Sequence, residues 1–446
     1  MTTLLCVTTA AASAMSLKDA VHRATMDHPA IGAAISNQKA IAYEVLQAQG
    51  RFLPTVDLSA YIGGQIIHKP GSPPPANRTW LPKRQVGLTV EQVLYDGADR
   101  ANDVYARAAR LDAATLRVLQ TSEFRALQAV EAYIDMRRHA VVLGLAQQNV
   151  ARHRQILTTV RSLFQGGKAP RSDVSQVEQR LASARAIVVQ IERLLADTRA
   201  KFKQAVGIYP GKISRVRLPG NVPKSIRHAI NLAEQHNPQL LAAKVDIEAV
   251  EFRVEQSKSA YAPRIALQAN GSYGEDIDGV PRDNRDFSGG VKLTWNLYNG
   301  NIKDNRVEEL KERVSQAEYN YALQARQISE AVERAHSDFT LGRKRANVLD
   351  TEVKASRRVV AAYTEEYKLS KRSLLDLLDS EASLFNSRFQ WTNTYSLYVF
   401  AAYKTLATTG MLLRHFGLNR PAVETGGVRM QAQQDGVFNI TLDPLK

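Results

Sequence analysis

The chain of 446 residues is 44% apolar, which allows sizeable cores and more than one domain. A formal charge of +15 would favour nucleic acid only if Lys and Arg clustered beside exposed aromatics; here 59 basic residues are spread along helical patterns among 44 acids, so a solvated surface and no nucleic-acid partner are expected. The single cysteine, Cys6, excludes a disulfide framework and any cysteine metal cluster.

Residues 1–15 read as a signal-peptide remnant: Thr2 to Ala14 is apolar and small and ends in Ala12-Ser13-Ala14, although a basic start is missing. No run reaches the roughly 18 apolar residues of a membrane helix, so only strands of this chain could cross a bilayer. From Ser16 to Gln49 the apolar and small residues recur with helical spacing, interrupted at Pro29, which predicts two helices or one kinked helix with Met26-Asp27-His28 as the corner. After Pro54 the period changes to two. Val56, Leu58, Ala60 and Ile62 alternate with Thr55, Asp57, Ser59 and Tyr61, which predicts a strand over 55–67. A Pro/Gly-rich loop from Pro70 to Arg78 leads to a second strand through Val86, Leu88 and Val90, giving a hairpin.

Leu94-Tyr95-Asp96-Gly97 returns the chain to a helical period that runs to Gln165 without a proline. At about 1.5 Å per residue this helix is on the order of 100 Å long, more than a compact domain needs. Gly166-Gly167-Lys168-Ala169-Pro170 breaks it. A further helix runs to Val206 with Ser172 as the expected N-cap, and residues 210–224 read as a linker.

The second half then repeats the first. At an offset of 209, Ala20, Pro29, Val45, Gln47 and Pro54 match Ala229, Pro238, Val254, Gln256 and Pro263. Strands follow around Ile265–Tyr273 and Phe287–Trp295. Beyond them the offset is 203, where Leu94, Tyr95 and Gly97 match Leu297, Tyr298 and Gly300, while Asp173, Glu178 and Gly207 match Asp376, Glu381 and Gly410. The predicted organisation is a first repeat at 16–209, a linker at 210–224, a second repeat at 225–416 and a polar tail at 417–446. Within the second long helix, Leu310, Val314, Ala317, Tyr321, Gln324, Ile328, Ala331 and Ala335 follow coiled-coil spacing, with a stutter at Phe339. Between that helix and its partner lies Tyr367 to Asp379, which puts Asp376 and Asp379 on one helical face near Arg372 and Tyr367.

Helix, hairpin, very long helix, turn and helix, repeated once, resembles the outer-membrane efflux protein (TolC) family over roughly Ser16 to Gly417. The resemblance rests on His28-Pro29 and Asn237-Pro238, on Pro54 and Pro263, on Leu-Tyr-Asp-Gly at 94–97 with Leu-Tyr-Asn-Gly at 297–300, and on Tyr367 to Asp379 ahead of Glu381. It implies a mainly α fold with a membrane β-barrel. Each chain would give four strands to a twelve-stranded barrel of a homotrimer, continuous with an α-barrel of long coiled-coil helices. The implied place is the outer membrane of a Gram-negative bacterium, extending into the periplasm. The implied role is an exit duct for type I protein secretion or multidrug efflux, with a periplasmic adaptor (membrane fusion protein) and an inner-membrane ABC or proton-driven transporter as partners.

The resemblance also implies site roles. Tyr367, Arg372 and Asp173 would form the network that closes the periplasmic entrance, and Asp376 and Asp379 a selectivity ring. Gly166, Gly167, Ser370 and Lys371 would form the entrance turns; Ser370-Lys371 stands where the family commonly has a glycine and a small polar residue, so Lys371 would weaken cation selectivity. Val56, Leu58, Ile62, Val291, Leu293 and Trp295 would face outer-membrane lipid, with Lys292, Thr294 and Asn296 on the wet side.

A soluble coiled-coil periplasmic adaptor or scaffold is the alternative, but it has no use for four alternating strands. Enzymatic activity is not expected. The nine histidines show no metal-ligand spacing, Gly166-Gly167-Lys168-Ala169 lacks the Ser or Thr of a phosphate loop, and no base stands beside the acidic pair. No metal or cofactor is expected.

Overall fold

The computed structural model describes residues 15–66, 80–275, 277 and 283–418. Cys6, the expected signal remnant up to residue 14, the Pro70–Arg78 loop and the tail beyond 418 lie outside the described residues. The elements are α1 (Leu17–Met26), α2 (Pro29–Gly50), β1 (Thr55–Ile66), β2 (Trp80–Tyr95), α3 (Asp99–Gln165), α4 (Arg171–Val206), α5 (Ile226–His236), α6 (Pro238–Lys258), β3 (Arg264–Glu275), β4 (Asp283–Thr294), α7 (Ile302–Lys368), α8 (Leu374–Thr408) and α9 (Leu412–His415).

Pro29 and Pro238 do not kink a helix; each is the first residue of a new one, where the missing N–H has no partner to lose. The residue before each caps it. His28 Nδ1 accepts from the Ala30 N–H (3.1 Å), and Asn237 Oδ1 accepts from the Gln239 (2.9 Å) and Leu240 (3.3 Å) N–H groups. The strand-to-helix corners are also alike: Gly97-Ala98 and Gly300-Asn301 are both left-handed, with φ of 65° and 68° in the first and 70° and 63° in the second. Ser172 is not the N-cap of α4. That place belongs to Pro170, which makes no side-chain cap bond. β3 and β4 run a few residues further toward their hairpin tip than the alternation predicts, and Trp295 stands one residue past β4.

The described residues divide into two compact units that cut across the repeats. One comprises 15–35, 116–241 and 324–418. Its core joins Ala20, Val21 and Ala24 of α1 with Val130 and Tyr133 of α3, Phe202 of α4, and Tyr403 and Leu406 of α8. The buried hydroxyl groups are satisfied by backbone: Tyr133 donates to the Met15 carbonyl (2.7 Å) and Tyr403 to the Arg217 carbonyl (2.7 Å), with burial pushing the Tyr403 phenol up to about 12. Glu123 accepts the Leu413 N–H (3.2 Å), and burial pushes its carboxyl up to about 8. Gly410 is left-handed, and a Cβ there would also strike the His236 carbonyl oxygen, so both the backbone and the close approach require glycine.

The other unit comprises 36–66, 80–115 and 242–323 as described. Ile41 and Val45 of α2 pack on Leu111 and Ala114 of α3, and Ala48 packs on Val104 and Ala108. In the second copy Val254 of α6 packs on Val307 and Leu310 of α7. Each short helix thus covers the first part of a long one. The unit also holds one antiparallel sheet in the order β1-β2-β3-β4.

Candidate functional site

Two places hold the residues singled out in the sequence: the sheet, and the pair of turns that close α3–α4 and α7–α8. In the sheet, residues opposite one another share a face. One face reads Val56, Val90, Ala269 and Gly289 in one row, then Leu58, Leu88, Gly271 and Phe287 in the next, with Leu267 beside Val291 and Ile265 beside Leu293. The other face reads Asp57, Thr89, Asn270 and Ser288, then Ser59, Gly87, Ser272 and Asp286. Alternation alone therefore builds one apolar and one polar surface. The apolar one is bare: Leu58 is 73% exposed, Ile62 80%, Phe287 84% and Val291 66%. Trp295 is also exposed, and its Nε1 donates to the Tyr261 carbonyl at 3.0 Å, tying the chain after β4 to the segment before β3. Among the described residues, the outer strands β1 and β4 each have one edge unpaired.

The two turns use one backbone device. After α3, Gly167 is left-handed, the Lys168 N–H bonds the Leu163 carbonyl (2.8 Å) and the Gly167 N–H bonds the Phe164 carbonyl (3.0 Å). After α7, Ser370 takes the left-handed place (φ 57°), with Lys371 N–H to the Glu366 carbonyl (2.9 Å) and Ser370 N–H to the Tyr367 carbonyl (3.0 Å). Both are Schellman closures; the second bears the strain of a left-handed non-glycine, about 1 kcal/mol. Its next helix is better started, since Ser373 Oγ accepts from the Asp376 N–H (3.1 Å). Both turns rest on one apolar cluster, formed by Val150, Leu157 and Val160 of α3, Val177 and Leu181 of α4, and Leu374 and Leu378 of α8, with Tyr367 packed against it.

The side chains singled out in the sequence occupy this end, in an arrangement the spacing does not predict. Tyr367 is half-buried, and burial, then the charge of nearby Asp173, raises its phenol pKa. Arg372 belongs to its own helix end: it is bonded to Glu366 (2.8 Å), lies 4.2 Å over the Tyr363 ring and stands 3.9 Å from Asp376. Asp379 pairs with Arg180 of α4 at 2.9 Å. Glu381 is buried against Arg152 of α3, which also donates to Thr364 (2.8 Å). Arg161 of α3 pairs with Glu178 of α4 at 2.6 Å, both exposed.

Sequence reasoning missed Tyr363, Glu366, Arg152 and Arg180. Tyr363 and Glu366 are three apart on the last turns of α7, a signal that was available. Arg152 and Arg180 reach partners more than a hundred residues away, which no local spacing records. Among the described residues no group of His, Cys, Asp or Glu could hold a metal ion, and no helix is long and apolar enough to cross a membrane.

Comparison with known proteins bears on the family and the fold. The family model for outer membrane efflux protein matches residues 20–208 and 229–398. The chain is 25% identical to outer membrane efflux protein BepC of Brucella suis biovar 1 (strain 1330), over 73% of this chain and 72% of BepC. It is 20% identical to outer membrane protein TolC of Escherichia coli (strain K12), over 92% and 86% respectively. Its fold is similar to the crystal structure of the Campylobacter jejuni CmeC outer membrane channel, with a TM-score of 0.78 and 14% identity over 93% of this chain and 89% of that one. The chain belongs to the outer membrane efflux protein family, whose members are channels of the Gram-negative outer membrane.

Proposed function

We propose that three copies of this chain join edge to edge into one barrel and act as the outer-membrane exit duct of an export machine that includes a periplasmic adaptor and an inner-membrane transporter. The observation that carries this is the sheet. A bare apolar face backed by a polar one suits lipid outside and water inside. Four strands with two open edges cannot close on themselves, and open edges in lipid leave backbone groups unsatisfied, so neighbouring copies must supply the pairing. Val56, Leu58, Ile62, Val291, Leu293 and Trp295 then meet lipid, and Lys292, Thr294 and Asn296 the lumen. A soluble coiled-coil scaffold would leave this face as a large apolar patch in water.

The paired turns are the periplasmic entrance. Tyr367, Arg372 and Asp173 hold it closed, on Gly166-Gly167 in one turn and Ser370-Lys371 in the other. Asp376 and Asp379 form a constriction that favours cations. Crosslinking in native membranes followed by purification in mild detergent tests the assembly. The expected product is a trimer that brings an adaptor with it; an ABC transporter in the complex assigns type I secretion and a proton-driven pump assigns drug efflux. A water-soluble monomer contradicts the reading.

A further inference from the structure

We infer that Arg180 sets the charge of the entrance constriction, by neutralising Asp379 from within the same protomer. The first turns of α8 carry three acids, Asp376, Asp379 and Glu381, and each is met by a guanidinium from outside α8: Arg372 from the turn, Arg180 from α4 and Arg152 from α3. Arg152 and Glu381 form the buried member of this series. Arg372 is shared, since its shorter contacts go to Glu366, and it reaches Asp376 only at 3.9 Å. Arg180 and Asp379 are the close pair that stays open to solvent, with side chains 37% and 57% exposed.

Arg180 is placed by packing and not by chance. Its helix neighbours Val177, Leu181 and Ala184 are buried in the same cluster as Leu374 and Leu378 of α8, which fixes the α4 backbone opposite the first turns of α8. An ion in the constriction therefore meets a carboxylate at Asp376 but an ion pair at Asp379. A pair 2.9 Å apart presents a dipole whose field falls off faster than that of a bare charge. The countercharge held against Asp379 is thus Arg180, in addition to the Lys371 of the turn. The inference rests on the reading that Asp376 and Asp379 face the passage.

The test is reversal potential in a KCl gradient, together with block by La3+, for full-length channels in planar bilayers. Removing three positive charges from one ring should raise the K+ to Cl− permeability ratio about threefold or more in Arg180→Gln, and lower the blocking La3+ concentration about tenfold. Arg180→Lys should keep wild-type values, which a role in packing alone does not predict. Arg180→Gln combined with Asp379→Asn should lose the gain. If Arg180→Gln leaves both readings at wild type while Asp379→Asn reduces selectivity, the inference is wrong and the constriction stands. If Asp376→Asn with Asp379→Asn changes neither reading, the constriction itself is wrong and the inference falls with it.

Discussion

The two turns are copies of one another in sequence and backbone, yet they differ in what surrounds their acids. Glu178 and Glu381 occupy matching positions, and both meet an arginine of α3. Glu178 lies in the open with Arg161, whereas Glu381 is buried with Arg152. The first turn has a glycine in the left-handed place, an uncapped α4 and one acid, Asp173; the second has Ser370, a serine-capped α8 and the acids Asp376 and Asp379. Duplication supplied two equal closures. In the second, arginines of the turn, α4 and α3 stand beside Asp376, Asp379 and Glu381.

Stability should separate the two turns most. Arg152→Gln should destabilise the unit by about 3 kcal/mol, because a buried Glu381 loses its partner. Arg161→Gln should cost no more than about 1 kcal/mol, since exposed pairs contribute little. Thermal unfolding of the detergent-solubilised protein measures both; equal losses would mean the two glutamates are equivalent after all. Next in size is conductance. Tyr367→Phe with Arg372→Ser should raise single-channel conductance, whereas Asp173→Ala alone should raise it less, and wild-type conductance in the double variant would remove these residues from the closure.

The left-handed positions also differ, with Gly167 in the first turn and Ser370 in the second. Ser370→Gly should stabilise by up to about 1 kcal/mol by relieving the strained conformation, while Gly167→Ser should destabilise by a similar amount. Unfolding midpoints that move in the same direction for both would contradict the shared closure. The smallest effect is on pH dependence. The Tyr367 phenol is raised above its ordinary value of 10.0 by burial and by Asp173, so the folded state favours its protonated form. Its stabilisation is complete below that ordinary value and is lost as pH rises through the folded one. Melting curves at rising alkaline pH should fall less steeply in Tyr367→Phe and in Asp173→Asn than in wild type.

Much of the fold is legible in the sequence because it is written in period. Alternation over 55–62 and 287–294 gives the two faces of the sheet, and Pro29 and Pro238 punctuate matching helix pairs. The place of α4's start is misread at Ser172 because a capping side chain is only one way to begin a helix; Pro170, with its fixed φ, begins it without one. At the entrance, sequence spacing brings Asp376, Asp379, Arg372 and Tyr367 to one stretch but not their partners. Arg372 turns back to Glu366 and Tyr363, and Asp379 is met by Arg180 across α4. Those pairings depend on how four helices pack at one end, a tertiary property with no local period.

In the proposed channel the second turn, and not the first, carries the constriction. Block of single channels by a multivalent cation, compared between Asp173→Ala and the double variant Asp376→Ala with Asp379→Ala, tests it most directly. The account predicts near-wild-type block in the first and at least about tenfold weaker block in the second. Equal weakening in both, or unchanged block in the double variant, would contradict it.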